Sequence, residues 1–195
     1  MAKKETTVQK IIDRNVERHL VKEFLMENTK RAGFGGLVID RKPKGTILTI
    51  HAERPGIVIG RRGRVINSLQ REIEERFNLD SPKLEVEEAT NPELNAQIMA
   101  EKLASAIERG WYFRRAGHST VVNIMERGAK GVLITLSGKI TGARHRTQKF
   151  QAGHIKHCGE TALKHMDVGR SVAVRKLGTI GVTVAIMGQG TVLPH

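Results

Sequence analysis

The residues of this chain best suited to chemistry are cations, and the chemistry they suit is the grip of a polyanion. Gly60-Arg61-Arg62-Gly63, with Arg64 following, sets three guanidinium groups around two glycines. Glycine lets backbone N–H groups approach a phosphate closely and tolerates positive φ. A helix starting just after such a loop adds unsatisfied N–H groups and a partial positive charge. A second set, Arg114, Arg115 and His118, opens a helical pattern. Arg114 and His118 share a face, and Arg115 lies about 100° round, so the two arginines reach different phosphates. Arg109 extends that patch. The third set lies in the run from Lys139 to Lys149, which holds Lys139, Arg144, His145, Arg146 and Lys149 and no acid. Lys3 and Lys4 near the start, and His154 and Lys156 beyond the run, join it as candidate contacts.

Other constellations carry less. His154, His157 and Cys158, with His145 and His165 nearby, are of zinc-binding type, but their spacing matches no standard zinc pattern. No metal or cofactor is expected. There is no GxxxxGK phosphate loop, and no GxGxxG follows a strand. Glu72, Glu74 and Glu75, and then Glu85, Glu87 and Glu88, alternate faces on a helix and a strand. They read as solvated surface that suits basic neighbour proteins. No serine, cysteine or histidine triad is legible in the spacing, so no enzyme is expected.

The charge balance points the same way. Lys and Arg number 33 against 20 Asp and Glu, a net charge of +13 over 195 residues. Such an excess favours nucleic acid as partner. It is one-sided: residues 1–89 hold 18 cations and 14 acids, whereas residues 90–195 hold 15 and 6, with six of the eight histidines. No apolar run approaches the ~18 residues of a membrane span. The charged start suggests no secretory leader. The one cysteine, Cys158, cannot form an internal disulfide, which fits a reducing, cytoplasmic compartment. Only seven aromatics occur, and Trp111, Tyr112 and Phe113 are consecutive. They suit a core as well as a base-stacking platform, so phosphate contacts are the better expectation.

The elements that must hold these residues follow from periodicity. Val8, Ile12, Val16, Leu20 and Phe24, widened by Ile11 and Leu25, mark one face of a helix over 7–30. Thr6 or Thr7 caps it, and Gly33, Gly35 and Gly36 stop it. Residues 37–39 and 47–50 read as strands, joined through Lys42-Pro43-Lys44-Gly45. The Gly60 loop comes next, then a helix marked by Ile66, Leu69, Ile73 and Phe77, with Asn78 as C-cap. Leu84 and Val86 alternate with glutamates as another strand. Asn91-Pro92-Glu93 carries three helix-start signals, placing a domain boundary near 89–92. Leu94, Ile98, Leu103 and Ile107 line the following helix, which Gly110 ends. A further helix runs over 113–127; its apolar positions Val121, Ile124 and Met125 come late, leaving the first turn to protrude. Strands follow at 132–137, 149–157, 170–176 and 182–187, with Gly178 and Gly181 marking the last turn.

GxxG in the order helix, strand, strand, short helix, helix, strand is the signature of a KH domain, whose loop clamps about four nucleotides. Residues 8–88 resemble a KH domain of the second topological type. Arg54-Pro55-Gly56-Ile57-Val58-Ile59-Gly60-Arg61-Arg62-Gly63 is close to a phrase of the universal small-subunit ribosomal protein family numbered three. Phe113-Arg114-Arg115-Ala116, Gly128-Ala129-Lys130-Gly131, Ser137-Gly138-Lys139 and Gly178 to Val184 resemble the same family in the same order. The stretch from Ser137 through Phe150 is more similar to the archaeal and eukaryotic branch. The resemblance implies an α+β protein of two domains: a type II KH domain over 1–89, and over 90–195 a basic domain of two helices on a mainly antiparallel sheet. It further implies a monomeric structural component of the small-subunit head, bound to ribosomal RNA beside head proteins ten and fourteen, with Arg109, Arg114, Arg115 and His118 where messenger RNA enters. The bacterial family usually has lysine where this chain has His118. Two other functions fit parts of the chain: a free-standing KH regulator of RNA, and a nucleic-acid lyase using a lysine amine. The first leaves the second basic domain unused; the second finds no lysine marked as activated.

Overall fold

The computed structural model describes residues 6–42, 45–77, 79 and 81–189. Lys3, Lys4, the Pro43-Lys44 turn and Asn78 lie outside them. Two compact units divide the chain, residues 1–89 and 90–195.

The first unit opens with helix α1, Thr7–Thr29, where the Thr6 hydroxyl accepts a hydrogen bond from the Gln9 N–H at 3.4 Å. The apolar stripe expected to bury this helix does so only at its end. Val21, Leu25 and Thr29 are buried, whereas Val8, Ile11, Ile12, Val16 and Leu20 stay 46 to 64% exposed. A helix of 23 residues is about 35 Å long, and only its C-terminal turns reach the core. Periodicity tells which residues share a face, not how far the partner surface extends. A 3-10 turn and Gly33, at φ 72°, end the helix. Gly35 and Gly36 are not part of that stop; they lie inside strand β1, Phe34–Lys42, where a bulge breaks the register.

Strand β2, Gly45–Ala52, pairs antiparallel with β1 and parallel with β3, Lys83–Glu88. Parallel neighbours need a long crossover. Helix α2, Pro55–Ile59, and helix α3, Arg64–Arg76, supply it, and the Gly60 loop is the joint between them. Val58, Leu69 and Ile73 from this crossover share one buried cluster with Phe34, Leu48 and Ile50. The loop is therefore held from both sides by anchored helices.

The first α-helix of the second unit starts later than its sequence signals suggest. Asn91-Pro92-Glu93 begins only a 3-10 turn, Pro92–Leu94, which takes Leu94 out of the helix. Helix α4, Ala96–Glu108, is capped by Asn95, whose side chain accepts from the N–H groups of Gln97 and Ile98. The Asp167 carboxylate accepts from the Ala96 N–H at 2.9 Å, tying the helix start to the sheet. Helix α5 is Phe113–Glu126. Strands β4, Gly131–Gly138, and β5, Arg146–Gly153, follow; β5 begins and ends earlier than the expected 149–157, leaving His154 and Lys156 in a loop. A short helix α6, Glu160–His165, has no counterpart in the sequence reading; an ion pair of Glu160 with Lys164 spans it. Strands β6, Met166–Arg175, and β7, Gly178–Met187, complete a sheet of order β5-β4-β7-β6, antiparallel throughout. Gly181 lies within β7, opposite Ser137, and not in the turn. Helices α4 and α5 bury Leu103, Ile107 and Ile124 against Val132, Ile134, Leu136, Val182 and Val184. The opposite face of the sheet is left uncovered by α4 and α5.

Candidate nucleic-acid interface

The basic loop of the first unit has the backbone of an anion cradle. Gly60 sits at φ 70°, Arg62 at φ 56° and Gly63 at φ 73°. Three of four successive residues are thus left-handed, a combination that needs glycine at most of its positions. Space makes the same demand at Gly60, where a Cβ would lie 2.4 Å from the Val65 side chain. Gly63 caps α3 without a side-chain acceptor, so the first N–H groups of that helix have no side-chain cap and face the loop. Arg61, Arg62 and Arg64 are exposed. Ile57, Ile59 and Val65 flank them at 40 to 45% exposure, an apolar floor beside the cationic rim.

The opening of α5 carries the second set. Its first turn does not stand clear of the core, as the late apolar positions suggested. Phe113, Ala116 and Gly117 are buried, and they bring α5 onto β5. A Cβ at Gly117 would meet the Phe150 ring at 2.6 Å, so only glycine allows this approach. The His118 ring stands edge-on to Phe150, with centroids 5.0 Å apart. Arg114, Arg115 and His118 point outward and are exposed. Arg109 is tied down: its Nε donates to the Ser105 carbonyl at 3.2 Å, closing α4. The three consecutive aromatics part company, for Phe113 joins the core while Trp111 and Tyr112 remain 49% and 57% exposed.

The third set divides. Lys139, Arg144 and His145 lie exposed in the loop between β4 and β5. Arg146 and Lys149 stand on opposite faces of β5, because strand side chains alternate. Lys149 belongs to the uncovered face. Register puts Lys149, Thr135, Thr183 and Arg170 in one row across all four strands. Three strand spacings separate its end residues by about 14 Å. Arg170 was not singled out from sequence; its spacing of two from Val168 and Val172, which puts it on their face of the strand, was the available signal. His154 is exposed and Lys156 partly so. Among the described residues, none of the cations of these three sets is paired with a carboxylate.

Glu85 and Glu87 occupy the outer face of β3, engaged by Lys83 at 2.9 Å and His51 at 3.6 Å. The hydrogen bond from Lys83 holds the Glu85 carboxyl below the usual carboxylate range. Among the described residues no group of three His, Cys, Asp or Glu is arranged to hold a metal ion. A cavity of about 210 Å³ between α1 and β1, lined partly by Arg14, Arg18 and Arg41, includes none of the candidate contact residues.

A parallel strand pair bridged by two helices around a Gly-Arg-Arg-Gly loop defines a KH domain of the second topological type, an RNA-binding class of fold. Residues 20–94 match the KH domain family profile, and residues 103–186 match that of ribosomal protein S3, C-terminal domain. The chain is 51% identical over 183 residues to small ribosomal subunit protein uS3 of Haloquadratum walsbyi, covering 94% of this chain and 57% of that protein. It is 52% identical over 179 residues to uS3 of Methanospirillum hungatei, covering 92% and 73%. With uS3 of Methanoculleus marisnigri identity is 50% over 186 residues, covering 95% and 80%. The chain belongs to the small ribosomal subunit protein uS3 family. It spans 57% and 61% of the length of its relatives from Haloquadratum walsbyi and Haloarcula marismortui. The archaeal leaning read from the stretch 137–150 agrees with these relatives.

Proposed function

We propose that this chain is a structural component of the small ribosomal subunit, seated in its head, where it binds ribosomal RNA and lines the passage by which messenger RNA enters. One observation carries the proposal: the second unit exposes Arg114, Arg115, Lys139, Arg144, His145, Arg146 and Lys149 with no carboxylate partner among the described residues. Cations left unpaired on a folded surface are available to phosphates. Gly60, Arg61, Arg62, Gly63 and Arg64 offer a further contact, and so do Lys3, Lys4, His154 and Lys156. The proposed neighbours are head proteins ten and fourteen, for which the exposed apolar residues of α1 and the glutamates of β3 are suitable surfaces. The protein acts as a monomer within a cytoplasmic ribosome. No helix among the described residues is long and apolar enough to cross a membrane.

Arg114 and Arg115 hold single strands as they enter and disfavour re-pairing behind them, with the work supplied by translocation elsewhere. Ribosomes carrying Arg114→Ala with Arg115→Ala should assemble near normally. They should slow on a messenger with a stable hairpin and keep pace on an unstructured one. Equal rates on both templates, with assembly confirmed by co-sedimentation with the small subunit, reject the role.

A further inference from the structure

Trp111 and Tyr112 are the two most exposed aromatic side chains of the protein, at 49% and 57%. The other five are committed to packing. Phe34, Phe113 and Phe150 are buried, and Phe24 and Phe77 are half-buried edge to face, with centroids 5.8 Å apart. The two exposed rings do not sit on a loose segment. The Trp111 N–H donates to the Ala106 carbonyl at 3.1 Å, and the Tyr112 carbonyl accepts from the Ala116 N–H at 3.0 Å. The Tyr112 ring leans on the buried Phe113, with centroids 4.8 Å apart. The Arg115 guanidinium lies 5.9 Å from the Trp111 ring centroid, and that of Arg114 lies 5.8 Å from the ring of Phe113. The nearest acid in sequence, Glu108, is turned to the sheet, where it accepts from the Val174 N–H at 2.9 Å.

Exposed rings on a hydrogen-bonded backbone, beside arginines with no carboxylate partner among the described residues, are the composition of a single-strand site. We infer that Trp111 and Tyr112 form a base-stacking platform for single-stranded RNA. This rests on the proposed grip of messenger by Arg114 and Arg115 and supplies what that grip lacks. Phosphates line paired and unpaired strands alike, and more densely in a duplex, so point charges alone do not select the single strand. Base faces are accessible only where a strand is unpaired. The arginines hold the strand by its charge, and the rings select the stretch that has come open. Stacking depends little on which base arrives, as an unselective channel requires.

Trp111 is the single tryptophan of the chain, so its fluorescence reports directly on the platform. The full chain is titrated with a ten-nucleotide oligoadenylate and with a ten-base-pair RNA duplex. The single strand should quench Trp111 emission and the duplex should leave it nearly unchanged. Measured by anisotropy of labelled oligoadenylate, Trp111→Ala should weaken binding about 5- to 150-fold, the equivalent of one stacked base at 1–3 kcal/mol, with the salt slope unchanged. Trp111→Phe, which keeps a π-face, should recover most of the affinity, separating stacking from misfolding. Equal quenching by duplex and single strand, or unaltered affinity of Trp111→Ala, overturns the platform. Arg114→Ala with Arg115→Ala is read in the same assay for its slope, expected to flatten by about 0.7 for each phosphate no longer neutralised. A flattened slope with an inert Trp111→Ala leaves the grip standing without the platform. An unaltered slope with a weakened Trp111→Ala leaves the platform without the grip.

Discussion

At the scale of single residues, what could be read ahead of the structure was what depends on local backbone. The Gly60 loop was legible because its demands are met within five residues: two glycines for left-handed φ and three cations around them. Exposure of Trp111 and Tyr112 was not legible, since nothing in three consecutive aromatics says which will find a cavity. Phe113 joins the core of the second unit, while Gly117, by lacking a Cβ, lets α5 approach Phe150 of β5. The loop yields a sharp expectation. Gly60→Ala places a methyl where the Val65 side chain stands and asks alanine for φ 70°. The variant should lose more than about 1 kcal/mol of stability, the usual magnitude when a side chain is forced into a conformation it avoids. Chemical denaturation of wild type and variant checks this. Gly56→Ala is the control, because a Cβ there meets nothing within 4 Å and φ is not left-handed. Equal losses at Gly60 and Gly56 would mean that the loop geometry is not what requires glycine.

At the scale of elements, the periodic patterns gave element type correctly and boundaries less well. The start of α4 is the clearest case. Asn91, Pro92 and Glu93 carry three agreeing signals, yet they open only a single 3-10 turn. The cap that acts is Asn95, whose side chain accepts from two N–H groups, while Asp167 from β6 takes a third. Asp167 lies 71 positions from Ala96, and sequence periodicity does not register such a partner. Asn95→Ala should therefore cost about 1 kcal/mol by thermal or chemical unfolding, and Asn91→Ala close to nothing. A larger loss at Asn91 would restore the earlier helix start. The strands of the second sheet carry a functional counterpart. Lys149 and Arg170 end one row across the uncovered face, with Thr135 and Thr183 between them. As part of the proposed ribosomal RNA contact, Lys149→Ala with Arg170→Ala should flatten the salt slope for a duplex RNA fragment by about 1.8 units, at 0.9 per phosphate. An unchanged slope in a filter-binding series excludes that face as an RNA surface.

At the scale of the whole molecule, the charge asymmetry was readable from composition, and it joined the helix-start signals of Asn91-Pro92-Glu93 in pointing to a boundary near residue 89. The unused stripe of α1 was the part that was not, since Val8 to Leu20 have the pattern of a buried face and no core beneath them within their unit. The two cores are distinct clusters: Ile73 belongs with Phe34, Leu48 and Ile50, and Ile124 with Leu103, Val132 and Val184. We propose that each unit folds by itself. A chain of 89 residues buries somewhat over ~60% of its unfolded surface, which suffices for independent stability in many domains of that size. A fragment covering 1–89 should then unfold in a single cooperative transition. In the full chain, Ile73→Ala and Ile124→Ala remove fully buried side chains, and each should cost about 2–5 kcal/mol. The losses should fall on different transitions: Ile73→Ala lowers that of the first unit, and Ile124→Ala that of the second. Hydrogen exchange followed by mass spectrometry resolves them by segment even where the two melts overlap. Protection lost in both units from either single substitution, or a molten 1–89 fragment, would mean one cooperative structure in which the basic second unit depends on the KH domain for its fold.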